Sequence, residues 1–87
     1  MNKLQELMVI TMEECGELTQ SCSKVIRKFE NFEEITGEKR DKLIEEAGDV
    51  ACMIELMVEL GVCTESEIQD RIHTKREKLK KWSKLFD

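Results

Sequence analysis

The chain has 87 residues, 38% of them charged, with no proline, four glycines and a formal net charge of −5. That length allows one domain, residues 1–87, with a modest core of its own. A proline-free composition rich in Leu, Met, Ile and Val predicts an all-α protein. The net acidity excludes a general binder of nucleic-acid polymers, and no apolar run approaches the roughly 20 residues of a membrane span.

Three helices are predicted. The first covers about residues 3–28, with an apolar stripe of Leu4, Met8, Thr11, Cys15, Leu18, Cys22, Val25 and Phe29 that alternates steps of four and three. ENFEEITGE, residues 30–38, reads as a connector broken at Thr36 and Gly37. Phe29 and Phe32 flank it and are expected to pack in the core. The second helix covers about 38–60 and ends at Gly61. It is apolar around more than half of its circumference: Leu43, Ile44, Ala47, Val50, Ala51, Met53, Ile54, Met57, Val58 and Leu60. A helix of that kind must be covered on several sides. Two further helices of one short chain are too little cover. The expected architecture is therefore three helices per chain, with four-helix-bundle packing completed by a homodimer or homotetramer. The third helix opens on a capping box, Thr64 with Glu67, and runs to about Trp82 along Ile68, Ile72, Leu79 and Trp82.

Charge and sulfur are unevenly placed. Residues 1–70 hold 17 acidic and 7 basic side chains, a balance of −10, whereas residues 71–87 carry +5. Cys15, Cys22, Cys52 and Cys63 form no C-x-x-C pair, and with His73 as the one histidine a structural zinc site is not expected. Cys15, Cys22 and Cys52 are expected to pack as small apolar residues. The opening MNKLQELMVITMEE has acids where a secretory signal needs an apolar block, and a cytoplasmic setting is expected.

Two short stretches resemble each other: EECGEL at 13–18 and EEAGDV at 45–50. Each sets carboxylates three apart, hence on adjacent turns: Glu14 with Glu17, and Glu46 with Asp49. Glu46 shares a sector with Val50, Met53 and Met57, and Asp49 stands at its edge. Glu14 lines up with Leu7 and Ser21 beside the stripe, and Glu17 continues the lane of Ile10. Packing the two helices by their apolar faces gathers four carboxylates at the core margin. Glutamates three apart on an amphipathic helix ordinarily form a solvated face. Here no cation follows Glu13, Glu14 or Glu17 by four residues. Four ionised carboxylates repel, and either protons or a cation relieves that repulsion. An oxygen-only set of this number suits Mg²⁺, with Mn²⁺ as substitute. Gly16 and Gly48 are expected to let the helices approach closely.

The pattern Glu14-x-x-Glu17, 28 intervening residues, then Glu46-x-x-Asp49 resembles the signature of the MazG-like all-α NTP pyrophosphohydrolases, which include dimeric dUTPases and dCTP pyrophosphatases. EECGEL is similar to that family's E-[EV]-x-G-E-L helix. KLIEEAGDV is similar to its K-x-x-E-E-x-x-D-[VL] helix, and the resemblance covers residues 4–82. It implies Mg²⁺-dependent hydrolysis of a nucleoside triphosphate between the α- and β-phosphates, giving a monophosphate and pyrophosphate. Carried over by position, Glu14, Glu17, Glu46 and Asp49 hold the metal, and Lys42, Lys75 and Lys78 contact phosphates; Glu13 or Glu45, next to those ligands in the sequence, is the candidate orienter or general base. The basic run after Lys75 departs from the family's commoner aromatic-Arg pattern, and Lys80, Lys81 and Lys84 read as solvated. His73 reads as an exposed histidine, and Trp82 as a packing residue at the end of the third helix.

Two other classes compete. A di-iron bundle needs E-x-x-H pairs from two helices, and only Asp70-x-x-His73 has that shape. A non-catalytic helical oligomer, binding nucleotide or a protein, explains the apolar second helix and the charge split but leaves the four carboxylates without a role.

Overall fold

The computed structural model describes all 87 residues, Met1–Asp87. It is all-helical: α1 spans Lys3–Lys28, a single 3-10 turn Phe32–Glu34, α2 Gly37–Glu59 and α3 Glu65–Trp82. Two compact units divide the chain within α2, Met1–Leu56 and Met57–Asp87.

In the first unit, α1 starts on a capping box. The Gln5 N–H donates to Asn2 Oδ1 at 2.8 Å, and the Asn2 N–H donates to Gln5 Oε1 at 3.0 Å. Two donors otherwise left open at a helix start are thereby satisfied. Arg27 and Lys28 in the last turn complement the carbonyl end. The connector is partly ordered as the 3-10 turn, where Asn31 Nδ2 donates to Glu34 Oε1 at 2.6 Å. Gly37, the first residue of α2, has φ +69°, a conformation that favours glycine.

The covered positions of α1 run Leu7, Thr11, Glu14, Leu18, Ser21 and Val25, with Met8 and Ile10 beside them. Those of α2 run Lys39, Leu43, Glu46, Val50 and Met53. Each set alternates steps of four and three, the spacing of a two-helix seam. The helices are antiparallel. Glu14 and Glu17 meet Glu46 and Asp49, while Ser21 and Lys24, further along α1, share a cleft with the earlier Glu38, Lys39 and Lys42 of α2. Leu7 and Met53 are the two buried apolar side chains, and Ser21 and Glu46 the buried polar ones.

This seam lies one lane over from the stripe expected on α1. Thr11, Leu18 and Val25 belong to it, but Leu4, Cys15 and Cys22 are exposed, as are Met12 and Ile26. The cysteine expectation is corrected accordingly: Cys15, Cys22 and Cys52 are all exposed, and only Cys63 is partly covered. On α2, Ile44, Ala47, Ala51 and Ile54 are exposed too. Leu4, Cys15, Cys22 and Ile26 lie about a quarter-turn round α1 from its seam, and the α2 group is offset similarly on its own helix. Because the helices run in opposite directions, the two offsets turn to the same side. The pair therefore carries a second, continuous apolar face that it does not bury itself. Phe32, expected in the core, is 82% exposed.

In the second unit, the end of α2 is closed by a Schellman arrangement. Gly61 has φ +83°. Its N–H donates to the Val58 carbonyl at 3.1 Å, and that of Val62 to the Met57 carbonyl at 2.8 Å. The expected cap of α3 is present: the Glu67 N–H donates to Thr64 Oγ1 at 3.1 Å and the Thr64 N–H to Glu67 Oε1 at 2.9 Å. Ile68 and Leu79 are half-covered, whereas Ile72 and Trp82 are exposed. Trp82 does not pack at the helix end as expected; the Lys75 ammonium stands 5.0 Å from its ring centroid, a cation–π contact. No helix is long and apolar enough to cross a membrane.

Candidate functional site

The seam of the first unit carries an acidic layer. Residues three apart on a helix share a face, so each helix delivers one carboxylate into the seam and one at its edge. Glu14 and Glu46 take the inner positions, half-buried and buried respectively, and Glu17 and Asp49 the exposed ones. One oxygen from each of the four lies within 4.8 Å of all the others. Glu46 is 1% exposed, the most deeply covered side chain of the protein. Two oxygens, Glu14 Oε2 and Glu46 Oε2, are buried without any hydrogen-bond partner. A buried carboxylate oxygen in that condition is unfavourable by the full desolvation of its charge.

One cation answers part of this. Lys42 Nζ lies 2.7 Å from Glu45 Oε2 and 3.0 Å from Glu46 Oε1. The hydrogen bond from Lys42 holds the Glu46 carboxyl below its ordinary value in spite of burial. In return, hydrogen bonds to Glu45 and Glu46 push Lys42 well above its usual range. The remaining acids shift the other way. Loss of water raises Glu14 first, followed by the charges of Asp49 and Glu46. Glu17 is raised by a hydrogen bond shared with Glu46 and by the charges of Glu46 and Glu14. These shifts are what like charges crowded at a helix junction produce when one lysine serves four acids. The layer can lower its free energy by taking up protons or a cation.

Glu45 is exposed and engaged with Lys42. Glu13 is exposed, and its charge adds to the upward shift of Glu14. Neither belongs to the group of four. Lys75 and Lys78 are exposed on α3, in the second unit. Gly16 and Gly48 do not serve a close approach of the helices: a Cβ built at either position meets nothing within 4 Å. Each sits two residues after an inner carboxylate, about 200° round the helix, and so faces away from the seam. Sequence reasoning missed Ser21, Lys24 and Lys39, which line a cleft with Lys42 and Glu38. A signal was present: Ser21 and Lys24 follow Glu14 and Glu17 by seven residues, and Lys39 precedes Glu46 by seven.

The chain matches no family model, no curated protein and no solved structure.

Proposed function

We propose that the protein is a Mg²⁺-dependent nucleoside triphosphate pyrophosphohydrolase of the MazG-like kind, converting (d)NTP and water to (d)NMP and pyrophosphate. The observation that carries the reading is the pair of buried, partnerless oxygens on Glu14 and Glu46 within a group of four carboxylates. An all-oxygen, acidic donor set is the chemistry that hard divalent cations require. The E-x-x-E and E-x-x-D motifs on which the resemblance rests are the same four residues.

In this reading Glu14, Glu17, Glu46 and Asp49 hold Mg²⁺, or Mn²⁺ in its place. When bound, the ion supplies Lewis-acid polarisation and charge neutralisation for a phosphoanhydride. The chain's own residues do the rest. Glu14 and Glu46, fixed in the seam, give the site its rigidity, and the exposed Glu17 and Asp49 form its open rim. Lys42 keeps Glu46 ionised and ready to ligate. Water's oxygen joins the α-phosphorus, the Pα–O bond to the bridging oxygen breaks, and its electron pair leaves with pyrophosphate. Glu13 or Glu45 takes the proton, a step within the ordinary range of carboxylate general bases. The uncovered apolar face of the α1–α2 pair supports a homodimer or homotetramer, in which a second copy covers it.

Incubation with each NTP and dNTP, with and without Mg²⁺, followed by product separation, tests the activity. Monophosphate plus pyrophosphate is expected. Diphosphate plus phosphate, or no turnover, overturns it; the latter with nucleotide still bound leaves the non-catalytic module. Glu46→Gln or Asp49→Asn is expected to abolish turnover while the helical circular dichroism persists. Near-wild-type rates in either variant refute the ligand assignment.

A further inference from the structure

Two turns along the same pair of helices from the acidic layer lies a second layer, and its charge is reversed. On α1, Ser21 and Lys24 follow Glu14 and Glu17 by seven residues; on α2, Lys39 and Lys42 precede Glu46 and Asp49 by seven. Seven residues are two turns, about 10 Å of helix. Because α1 and α2 are antiparallel, both steps go the same way along the seam. These four residues, together with Glu38, line one cleft of about 360 Å³. The acid–base alternation is thus a property of the seam and not of either helix alone.

The charges in the cleft differ in how they are committed. Lys42 is engaged by Glu45 and Glu46 and ties this layer to the carboxylates. Lys24 and Lys39 enter no ion pair; the only pairs in the chain involve Lys42 and Lys80. Lys39 is partly covered and Ser21 is buried in the seam. Glu38 is the single acid on the lining, and it stands in the first turn of α2, where a carboxylate complements the helix dipole. Two unpaired ammonium groups and a hydroxyl around a concave space, beside a helix start, favour a multiply charged oxyanion.

We propose that this cleft seats the β- and γ-phosphates of the nucleoside triphosphate, and therefore the leaving pyrophosphate, with Lys24 and Lys39 as its binding residues. The inference rests on the reading of the carboxylate layer as the place where the α–β bond is cleaved. It also fixes the direction of the substrate: the α-phosphate lies at the four carboxylates, the leaving group points toward the start of α2, and the nucleoside points the other way along the seam. Negative charge grows on the leaving diphosphate as the bond breaks, and fixed ammonium groups stabilise it there.

The test measures binding of inorganic pyrophosphate to the full chain by calorimetry, with and without Mg²⁺, alongside inorganic phosphate and a free nucleoside. Pyrophosphate is expected to bind more tightly than phosphate, and the nucleoside alone is expected to owe nothing to the lysines. Lys24→Gln and Lys39→Gln each weaken pyrophosphate binding by about fivefold, the upper end for a partly exposed charge contact. Glu38→Gln tightens it, Lys39→Arg retains it, and Lys3→Gln, the same change of charge outside the cleft, leaves it unaltered. Mn²⁺ affinity of the lysine variants stays at the wild-type value. If the wild type hydrolyses NTPs but the Lys24→Gln/Lys39→Gln double variant binds pyrophosphate as the wild type does, the cleft assignment is wrong and the activity stands. If pyrophosphate binding depends on the lysines but no NTP is hydrolysed, the cleft stands as a diphosphate site and the activity falls. If pyrophosphate does not bind the wild type, the cleft assignment is overturned.

Discussion

Three open glycines differ in sign when replaced, and the difference follows from backbone conformation alone. Gly16 and Gly48 lie inside α1 and α2, where glycine is about 1 kcal/mol less favourable than alanine. A methyl group at either position meets no atom within 4 Å. Gly16→Ala and Gly48→Ala are therefore expected to stabilise the chain by about 1 kcal/mol each. The two sites are on different helices and share no neighbour, so the double variant gains about 2 kcal/mol. For a domain of this size each kcal/mol corresponds to about 4–8 °C, a rise of roughly 8–16 °C in Tm. Gly61 is equally open, but its φ of +83° is one that alanine adopts only at a penalty. Gly61→Ala is expected to lower stability by about 1 kcal/mol. Thermal unfolding followed by circular dichroism at low protein concentration measures all three. A fall in Tm for Gly16→Ala or Gly48→Ala refutes the reasoning, since it means that something closes onto the open surface at these glycines.

The carboxylate layer predicts a pH dependence. Glu14 and Glu17 have folded-state values above the ordinary 4.5, so the folded chain holds their protons more tightly than the unfolded chain. Their contribution to stability is present at low pH and is lost as pH rises from 4.5 through their raised values. Glu46 contributes oppositely: its share is present above 4.5 and lost as pH falls through its lowered value. The metal-free protein is expected to gain Tm as pH drops from neutrality toward 5, and saturating Mg²⁺ to cancel that gain; an identical Tm–pH curve with and without Mg²⁺ counts against metal binding at these acids. Cysteine reactivity reports on the second apolar face. With copies paired across it, Cys15 and Cys22 are protected from an alkylating reagent while Cys52 reacts quickly, and dilution to monomer exposes all three. Equal rates at every concentration argue that the face stays uncovered.

Local signals in the sequence were strong where a few residues decide the outcome. Thr64 with Glu67 marks the start of α3 because both hydrogen bonds of the box come from residues three apart. Gly61 marks the end of α2 because its positive φ suits glycine. The four carboxylates were legible through spacing, since residues three apart share a face on any helix. Which face of α1 meets α2 was not legible. The lane through Leu4, Cys15, Cys22 and Ile26 is more apolar than the lane through Leu7, Glu14 and Ser21, yet the more polar lane forms the seam. Hydrophobic pattern ranks faces by composition, and here two faces compete for partners, one inside the chain and one free. The same ambiguity misplaced the cysteines, whereas the packing role expected of Gly16 and Gly48 came from their place between the paired carboxylates, a place the 100° step of the helix turns away from the seam. Lys24 and Lys39 were overlooked because lysines on a charged helix carry no motif; their meaning comes only from the opposite helix.

The central claim is that the Glu14, Glu17, Glu46 and Asp49 carboxylates take up a divalent cation. Electron paramagnetic resonance of free Mn²⁺ titrated with the protein tests it without reference to turnover. The free-ion signal is expected to fall on adding wild-type protein and to be restored by excess Mg²⁺, and Glu14→Gln/Glu46→Gln is expected to leave it undiminished. A wild-type protein that takes up no Mn²⁺, alone or with a nucleoside triphosphate present, contradicts it.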